Sequence, residues 1–273
     1  MRILSSLTYY SPHISGLTIY AQRVLAGLCA RGHETTVVTS QYARSLPKNE
    51  SLDGVRIVRT RAWMKVSKGI MMPFYAFRIG RELHRHDVLL LHLPQLEAAI
   101  AAVYARVVAR RPVVTVVHCD IDLPPGLIRM LFTPVIKISH QVTGMFSNAI
   151  VVNSRDYARA SRYLGRFARK VLVSPPPCVL AEPAPGGPRE ELRGSPLIGF
   201  VGRFAEEKGI VYLLDALTKI LESAPAARIV FVGQAENVVG ESVYAKIQDR
   251  LARLVDHVHL AGVVTDDELG ALY

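Results

Sequence analysis

Arg203 and Lys208 lie on the short stretch that joins a strand over 197–201 to a helix beginning near Gly209, within the sequence GFVGRFAEEKGIVYLLDAL. The first backbone NH groups of a helix have no intrahelical partner and carry the positive end of its dipole, so an anion is stabilised there. Two cations beside those groups suit a diphosphate better than a single carboxylate, and Gly202 supplies the turn that leads into them. Glu206 and Glu207, close by, read as solvated charges at the helix entry. An isolated strand, glycine and helix is also an ordinary βα turn with solvated charges, so the rest of the chain has to decide between the two.

Three further positions could serve such a site. His118 ends the apolar run VVTVVH, which puts it at the carboxyl edge of a parallel sheet, where open α/β folds hold ligands. A histidine satisfied inside the core is the alternative. Gly16 follows the first strand, and glycine, lacking Cβ, lets backbone approach a reacting group; it also serves as a plain turn residue. Tyr9 and Tyr10 precede that glycine and either border an acceptor or pack. His13, His33, His92 and His118 lack metal-ligand spacing.

The elements that must position these residues alternate regularly. Strands are expected over 2–6, 34–39, 55–59, 88–92, 113–118, 149–153 and 170–174, with a helix over 20–31 between the first two and helical segments between most of the others. Short runs rich in Val, Ile and Leu separated by helices favour a mainly parallel sheet covered on both faces. From Pro175 the chain becomes rich in proline and glycine, in PPPCVLAEPAPGGPREELRGSP, which can form neither helix nor strand interior. A second pattern follows, with strands over 197–201, 228–232 and 257–260 and helices over 209–222 and 241–254. A last helix starts at Thr265, where a threonine three residues before Glu268 makes a capping box. The expected domains are therefore 1–180 and 196–273 with a linker over 181–195. Three strands and a helix stopping at Tyr273 make the second domain incomplete, as in a fragment.

Composition agrees with a folded α/β protein: 273 residues, 50% hydrophobic, 21% charged and a mean hydropathy of +0.22. No apolar run has the length of a spanning helix and MRILSSL carries no cleavage pattern, so the expected location is the cytosol. Cys29, Cys119 and Cys178 are odd in number and far apart, which suits reduced, buried thiols. The net charge of +10 is unevenly spread. Residues 1–180 hold 24 Lys and Arg against 9 Asp and Glu, and residues 181–273 hold 9 against 14. The basic first half could face nucleic acid or an anionic membrane surface, and no nucleic-acid motif accompanies the charge.

In order and separation these segments resemble a glycosyltransferase of the GT-B type, family 4, also called glycosyl transferases group 1. The resemblance covers the whole chain. MRILSSLTYYSPHISGLTIYAQRVLAGLCARGHETTVVT is similar to the family's opening; TVVHCDIDLPPG resembles the strand and loop with its active-site histidine. GFVGRFAEEKG resembles its donor-diphosphate loop, and VHLAGVVTDDELGALY the segment bordering the nucleotide base. The branch most similar in character is the phosphatidylinositol mannosyltransferase-like one. The resemblance implies two Rossmann-like domains, the second incomplete here, with sugar nucleotide bound mainly by the second and acceptor mainly by the first. It implies that Arg203 and Lys208 bind the donor diphosphate beside Gly202, that Gly16 approaches the donor, and that Val263 and Val264 meet the base through backbone. His118 would contact the reacting sugar or the acceptor, with Tyr10 at the acceptor. The family commonly has two glycines where this chain has Ser15-Gly16. Transfer with retention, no metal and no other cofactor follow from the same likeness. Asp120 and Asp122 spell the metal-binding DxD of the other glycosyltransferase fold, but they follow His118 on a loop, and GT-B enzymes generally need no metal.

The stretch MKVSKGIMMPFYAFRIGRELHRH, residues 64–86, interleaves Lys65, Lys68, Arg78, Arg81 and Arg85 with Met71, Met72, Phe74, Tyr75 and Phe77. Such a stretch could rest on anionic lipid, or it holds an ordinary amphipathic helix with Pro73 near its start, packed on the sheet. The acceptor is accordingly expected to be a membrane lipid or a glycan. A nucleotide-binding module without turnover is the competing reading, because the family's carboxylate motif for the donor sugar would lie past Tyr273. A Rossmann dehydrogenase is disfavoured, since no GxGxxG opens either half.

Overall fold

The computed structural model describes residues 1–66, 69–120, 126–178, 196–236 and 242–272. It forms two compact units, Met1–Pro177 and Cys178–Tyr273. Residues 181–195 and Asp122 lie outside the described residues.

The first unit runs β1 (Arg2–Ser6), α1 (Gly16–Ala30), β2 (Glu34–Gln41), β3 (Asn49–Leu52), β4 (Val55–Arg61), β5 (Met64–Val66), β6 (Gly69–Met71), α2 (Tyr75–Leu83), β7 (Val88–Leu93), α3 (Ala98–Val103), β8 (Val113–Val117), α4 (Leu127–Phe146), β9 (Ala149–Val152), α5 (Arg155–Ala160), α6 (Arg162–Gly165) and β10 (Val171–Val173). Eight of these strands form one sheet in the order β10-β9-β8-β7-β1-β2-β4-β3. All pairs are parallel except β3 with β4. The chain moves outward from β1 in one direction to β2 and β4, and in the other through β7, β8 and β9. The crevice between β1 and β7 is thus the topological switch point, where ligands bind in open α/β sheets.

Side-chain alternation sorts the core into two faces. Val37, Ile57 and Leu90 pack with Ala21 and Leu25 of α1, whereas Val38, Val58, Leu89 and Leu91 pack with Tyr75, Ile79, Ala98 and Ala101 of α2 and α3. Helix α1 begins earlier than the apolar pattern suggests, because the Ser15 hydroxyl accepts from the Thr18 amide at 3.2 Å and caps it. The helix of the 64–86 stretch, α2, starts at Tyr75 just past Pro73, as expected, and the residues ahead of it form a hairpin in which Met64 of β5 pairs with Met71 of β6. The antiparallel strand β3 is also new relative to the sequence reading. It turns through Asp53 and Gly54, whose φ of 52° and 77° are the left-handed pair that a two-residue hairpin loop requires.

The second unit runs β11 (Leu197–Val201), α7 (Ile210–Ser223), β12 (Arg228–Val232), α8 (Tyr244–Arg253), β13 (Val258–Gly262) and α9 (Asp266–Leu272). Its three strands lie parallel in the order β11-β12-β13. Phe204, Leu214, Phe231 and Ile247 form its core. The capping box at α9 is present: the Thr265 amide donates to a Glu268 carboxylate oxygen at 2.7 Å, and the Glu268 amide donates back to the Thr265 hydroxyl at 3.2 Å.

Candidate functional site

In the second unit the carboxyl ends of the three strands are stitched together by backbone. The Gly202 amide donates to the Val232 carbonyl at 2.8 Å, and the Gly233 amide donates to the Gly262 carbonyl at 2.7 Å. Gly202, Gly233 and Val263 therefore share one edge. Gly233 was not singled out in the sequence, yet it is the tightest position there: its φ is +136°, and a Cβ would stand 2.2 Å from the Gly202 carbonyl oxygen. The sequence signal for it is only a glycine closing a buried strand, in FVGQ.

From Gly202 the loop crosses to α7 through a fixed anchor. Phe204 is buried against Phe231 at 5.2 Å and Tyr244 at 5.8 Å, and its amide donates to the Gln234 carbonyl. The flanking Arg203 and Lys208 then sit at the surface. Arg203 donates to Glu207 at 3.4 Å, and Glu206 pairs with Lys246 at 3.3 Å. The two glutamates are thus tied to cations, and Lys208 forms no ion pair among the described residues. Gly209, at φ 68°, turns the chain left-handed into α7, which has no side-chain cap. The first amides of α7, Arg203 and Lys208 thereby stand on one loop at the strand ends, and the aliphatic stem of Lys208 passes beside Gly202. Val263 is exposed just past the left-handed Gly262.

In the first unit a histidine pair spans the carboxyl ends of β7 and β8, beside the switch point. His92, near the end of β7, and His118, just past β8, stack with ring centroids 5.3 Å apart, and His92 Nδ1 lies 3.0 Å from His118 Nε2. Tyr20 of α1 meets the His118 ring edge-on at 4.8 Å. The His118 amide donates to the Leu93 carbonyl at 3.1 Å, which fixes its backbone. Burial holds both imidazoles neutral, with His118 pushed down to about 4 and His92, which also feels His118, to about 3. Histidines on adjacent strands have no joint signature in sequence, so the pair was read as two separate residues.

The remaining expectations of the first unit separate. Gly16 is the exposed first residue of α1 with open space where a Cβ would stand. Tyr10 is only 2% exposed and packs under α1 with Leu25 and Val37, so it belongs to the core rather than to the surface of the crevice. Tyr9 is partly buried and stacks on His13 at 4.5 Å, beside Tyr42. The loop carrying these residues is pinned from beneath by the buried Arg59, which donates to the Ser11 carbonyl at 2.7 Å and the Pro47 carbonyl at 3.0 Å and pairs with Glu50. Asp120 accepts from the Tyr157 and Ser161 hydroxyls at 3.0 and 3.2 Å.

The buried pair sets a pH dependence. A histidine whose folded value lies below its unfolded one contributes stability above about pH 6.5, and this is lost as pH falls toward the folded value. His92 and His118 are therefore expected to make the first unit less stable at pH 5 than at pH 7, by up to about 1.4 kcal/mol per pH unit for each ring. Urea midpoints at the two pH values measure this; equal midpoints in the wild type would show that the rings are not held neutral.

Comparison with known proteins places the chain. Residues 15–177 match the family model described as Glycosyl transferase 4-like domain, and residues 195–273 match Glycosyl transferases group 1. No curated protein matches the chain. Among solved structures it is similar to HepE of Anabaena in complex with UDP and glucose, at 18% identity and TM-score 0.68 over 98% of this chain and 72% of that one. It is also similar to the sucrose-phosphate synthase of Thermosynechococcus elongatus, at 15% identity and TM-score 0.71 over 100% and 73%. The catalytic domain of starch synthase IV of Arabidopsis thaliana, bound to ADP and acarbose, matches at 13% identity and TM-score 0.62 over 98% and 75%. At such identities the structures speak for fold, two Rossmann-like units of the GT-B type. The matched families cover both units, and the chain belongs to the group 1, 4-like glycosyltransferases, enzymes that use nucleotide sugars.

Proposed function

We propose that this protein moves a sugar from a nucleotide-diphosphate sugar to a lipid-linked or polysaccharide acceptor, with retention at the anomeric carbon, and works at the periphery of an anionic membrane. The observation that carries the donor half is the meeting of Gly202, Arg203, Lys208 and Gly233 at one sheet edge, beside the uncapped start of α7. The bond from the anomeric carbon to the diphosphate oxygen breaks as the acceptor oxygen bonds to that carbon. The departing phosphate takes the acceptor proton. Negative charge grows on the leaving oxygen, and fixed cations with helix amides stabilise that charge more than the ground state. Arg203 and Lys208 supply the cations, and the backbone at Val263 borders the base.

On the acceptor side His118 donates or accepts a hydrogen bond at the reacting sugar or acceptor, while Gly16, without a Cβ, leaves room for close approach to the donor. Tyr9 takes the bordering place that the buried Tyr10 does not. A neutral, partly buried His118 suits hydrogen bonding, and no base is required of it. No metal enters this chemistry. The likeness to structures holding UDP with glucose and ADP with acarbose supports a nucleotide donor.

A thermal-shift panel of GDP, UDP and ADP sugars tests the donor reading. One base is expected to raise the melting temperature over the others, and product formed with that donor should keep its anomeric configuration by NMR. No shift with any donor would overturn the donor site. A shift without product would mark a nucleotide-binding module instead.

A further inference from the structure

Helix α4 is turned the wrong way round for a soluble protein. Its buried positions, among the described residues, are small or polar, with only Phe146 at its end packing partly buried on the core: the Ser139 hydroxyl donates to the Leu96 carbonyl at 2.7 Å, Thr143 is fully buried, and Gly144 lies so close to Phe167 that a Cβ would stand 2.4 Å from the ring. Its outward face carries Met130, Leu131, Val135 and Ile138, between 51% and 67% exposed. A surface helix of a soluble protein normally shows the reverse.

The neighbouring helices extend this surface. Helices α2 and α3 cover the same sheet face, and α4 joins them there through α3 and through the Ser147 hydroxyl, 2.7 Å from that of Thr115 on β8. Phe77 on α2 and Val107 and Val108 on the turn after α3 are exposed as well. Cations accompany each group: Arg81 and Arg85 on or just after α2, Arg106 and Arg110 after α3, Arg129 and Lys137 on α4. Carboxylates do not. Within residues 74–111 and 126–147 the only acids are Glu82, Asp87 and Glu97. Glu82 and Glu97 are buried, and Asp87 is paired with Arg2 at 2.8 Å.

Exposed aliphatic side chains ringed by cations, with no free carboxylate among the described residues of these segments, complement one kind of partner. We propose that the outer surface of α2, α3 and α4 docks on an anionic lipid bilayer, with α4 seated at the headgroup level. Apolar burial and attraction to anionic headgroups then act together, as for interfacial helices. A second copy of the chain would bring two cationic faces together, which opposes docking. The proposal deepens the peripheral-membrane reading above and rests on it for its purpose. It does not depend on the donor site.

Cosedimentation with vesicles of mixed phosphatidylglycerol and phosphatidylcholine, against phosphatidylcholine alone, tests it. The full chain is expected to bind the mixed vesicles and to be released by salt. The double variant Leu131→Gln, Ile138→Gln is expected to bind them at least about tenfold more weakly, with its melting temperature and donor shift unchanged. Equal binding by that variant would overturn the α4 surface. If Phe74→Gln, Phe77→Gln alone then releases the protein, the peripheral reading survives without α4; if the wild type binds no vesicle, both fall. A concentration-dependent dimer that the α4 variant dissolves, without vesicle binding, would assign the face to a second copy, and retention only by an acidic protein would assign it to that class of partner.

Discussion

Replacing Arg203 with alanine is expected to lower kcat about 10²–10³-fold and to remove most of the thermal shift given by the preferred nucleotide sugar. The expectation rests on where the guanidinium is held. Phe204, buried next to it, fixes the backbone, and Glu207 at 3.4 Å draws the side chain along the loop toward the start of α7. A cation pre-positioned in this way needs no reorganisation when the diphosphate leaves, so its effect falls on the transition state and therefore on kcat. Arg203→Lys keeps the charge but loses the planar fork, and partial recovery is expected. Steady-state kinetics and melting curves on the same variants separate the outcomes. A full-size shift by the same donor in Arg203→Ala would sink the diphosphate assignment, and a raised KM at unchanged kcat would reduce the residue to uniform substrate binding.

Much of this fold could be read from the chain because a parallel sheet buries its strands on both faces. The strands β1, β11 and β12 have the expected limits, 2–6, 197–201 and 228–232, since each is a short run with an apolar segment (Ile3 and Leu4 in β1, most of β11 and β12) followed by turn residues. The capping box at Thr265 was likewise local and therefore legible. What escaped depends on tertiary neighbours. The two-residue turn at Asp53-Gly54 does have a sequence signature, but β3 ahead of it is polar and exposed, with none of the alternation that marks a strand. His92 and His118 become a pair only through the β7–β8 register, in which His92 stands opposite Val116. The apolar period of α4 is visible in LIRMLFTPVIKISHQVTGMF, but a period does not say which side faces water. Tyr10 shows the same limit from the other direction: it directly follows the partly exposed Tyr9, and only the packing under α1 tells them apart.

Gly233 is the strongest case, and it gives the largest expected effect on stability. Alanine there is expected to cost the second unit about 2–6 kcal/mol. Roughly 1–3 kcal/mol comes from holding a side chain at a φ of +136°, a conformation that L residues rarely adopt. A further contribution of roughly 1–3 kcal/mol comes from overpacking, because the new Cβ would meet the Gly202 carbonyl oxygen at 2.2 Å and its carbon at 2.7 Å, both backbone atoms that cannot swing aside. Gly202→Ala is the matched control. Its Cβ would only touch the Phe200 ring at 3.4 Å, an ordinary contact. The backbone that Gly233 would displace also carries Gly202 and the start of the Arg203 loop, so the same change should weaken the donor shift in whatever fraction still folds. Denaturant melts of the two variants decide the matter: if Gly233→Ala destabilises no more than Gly202→Ala, the close approach of the two strand ends does not hold the donor edge together.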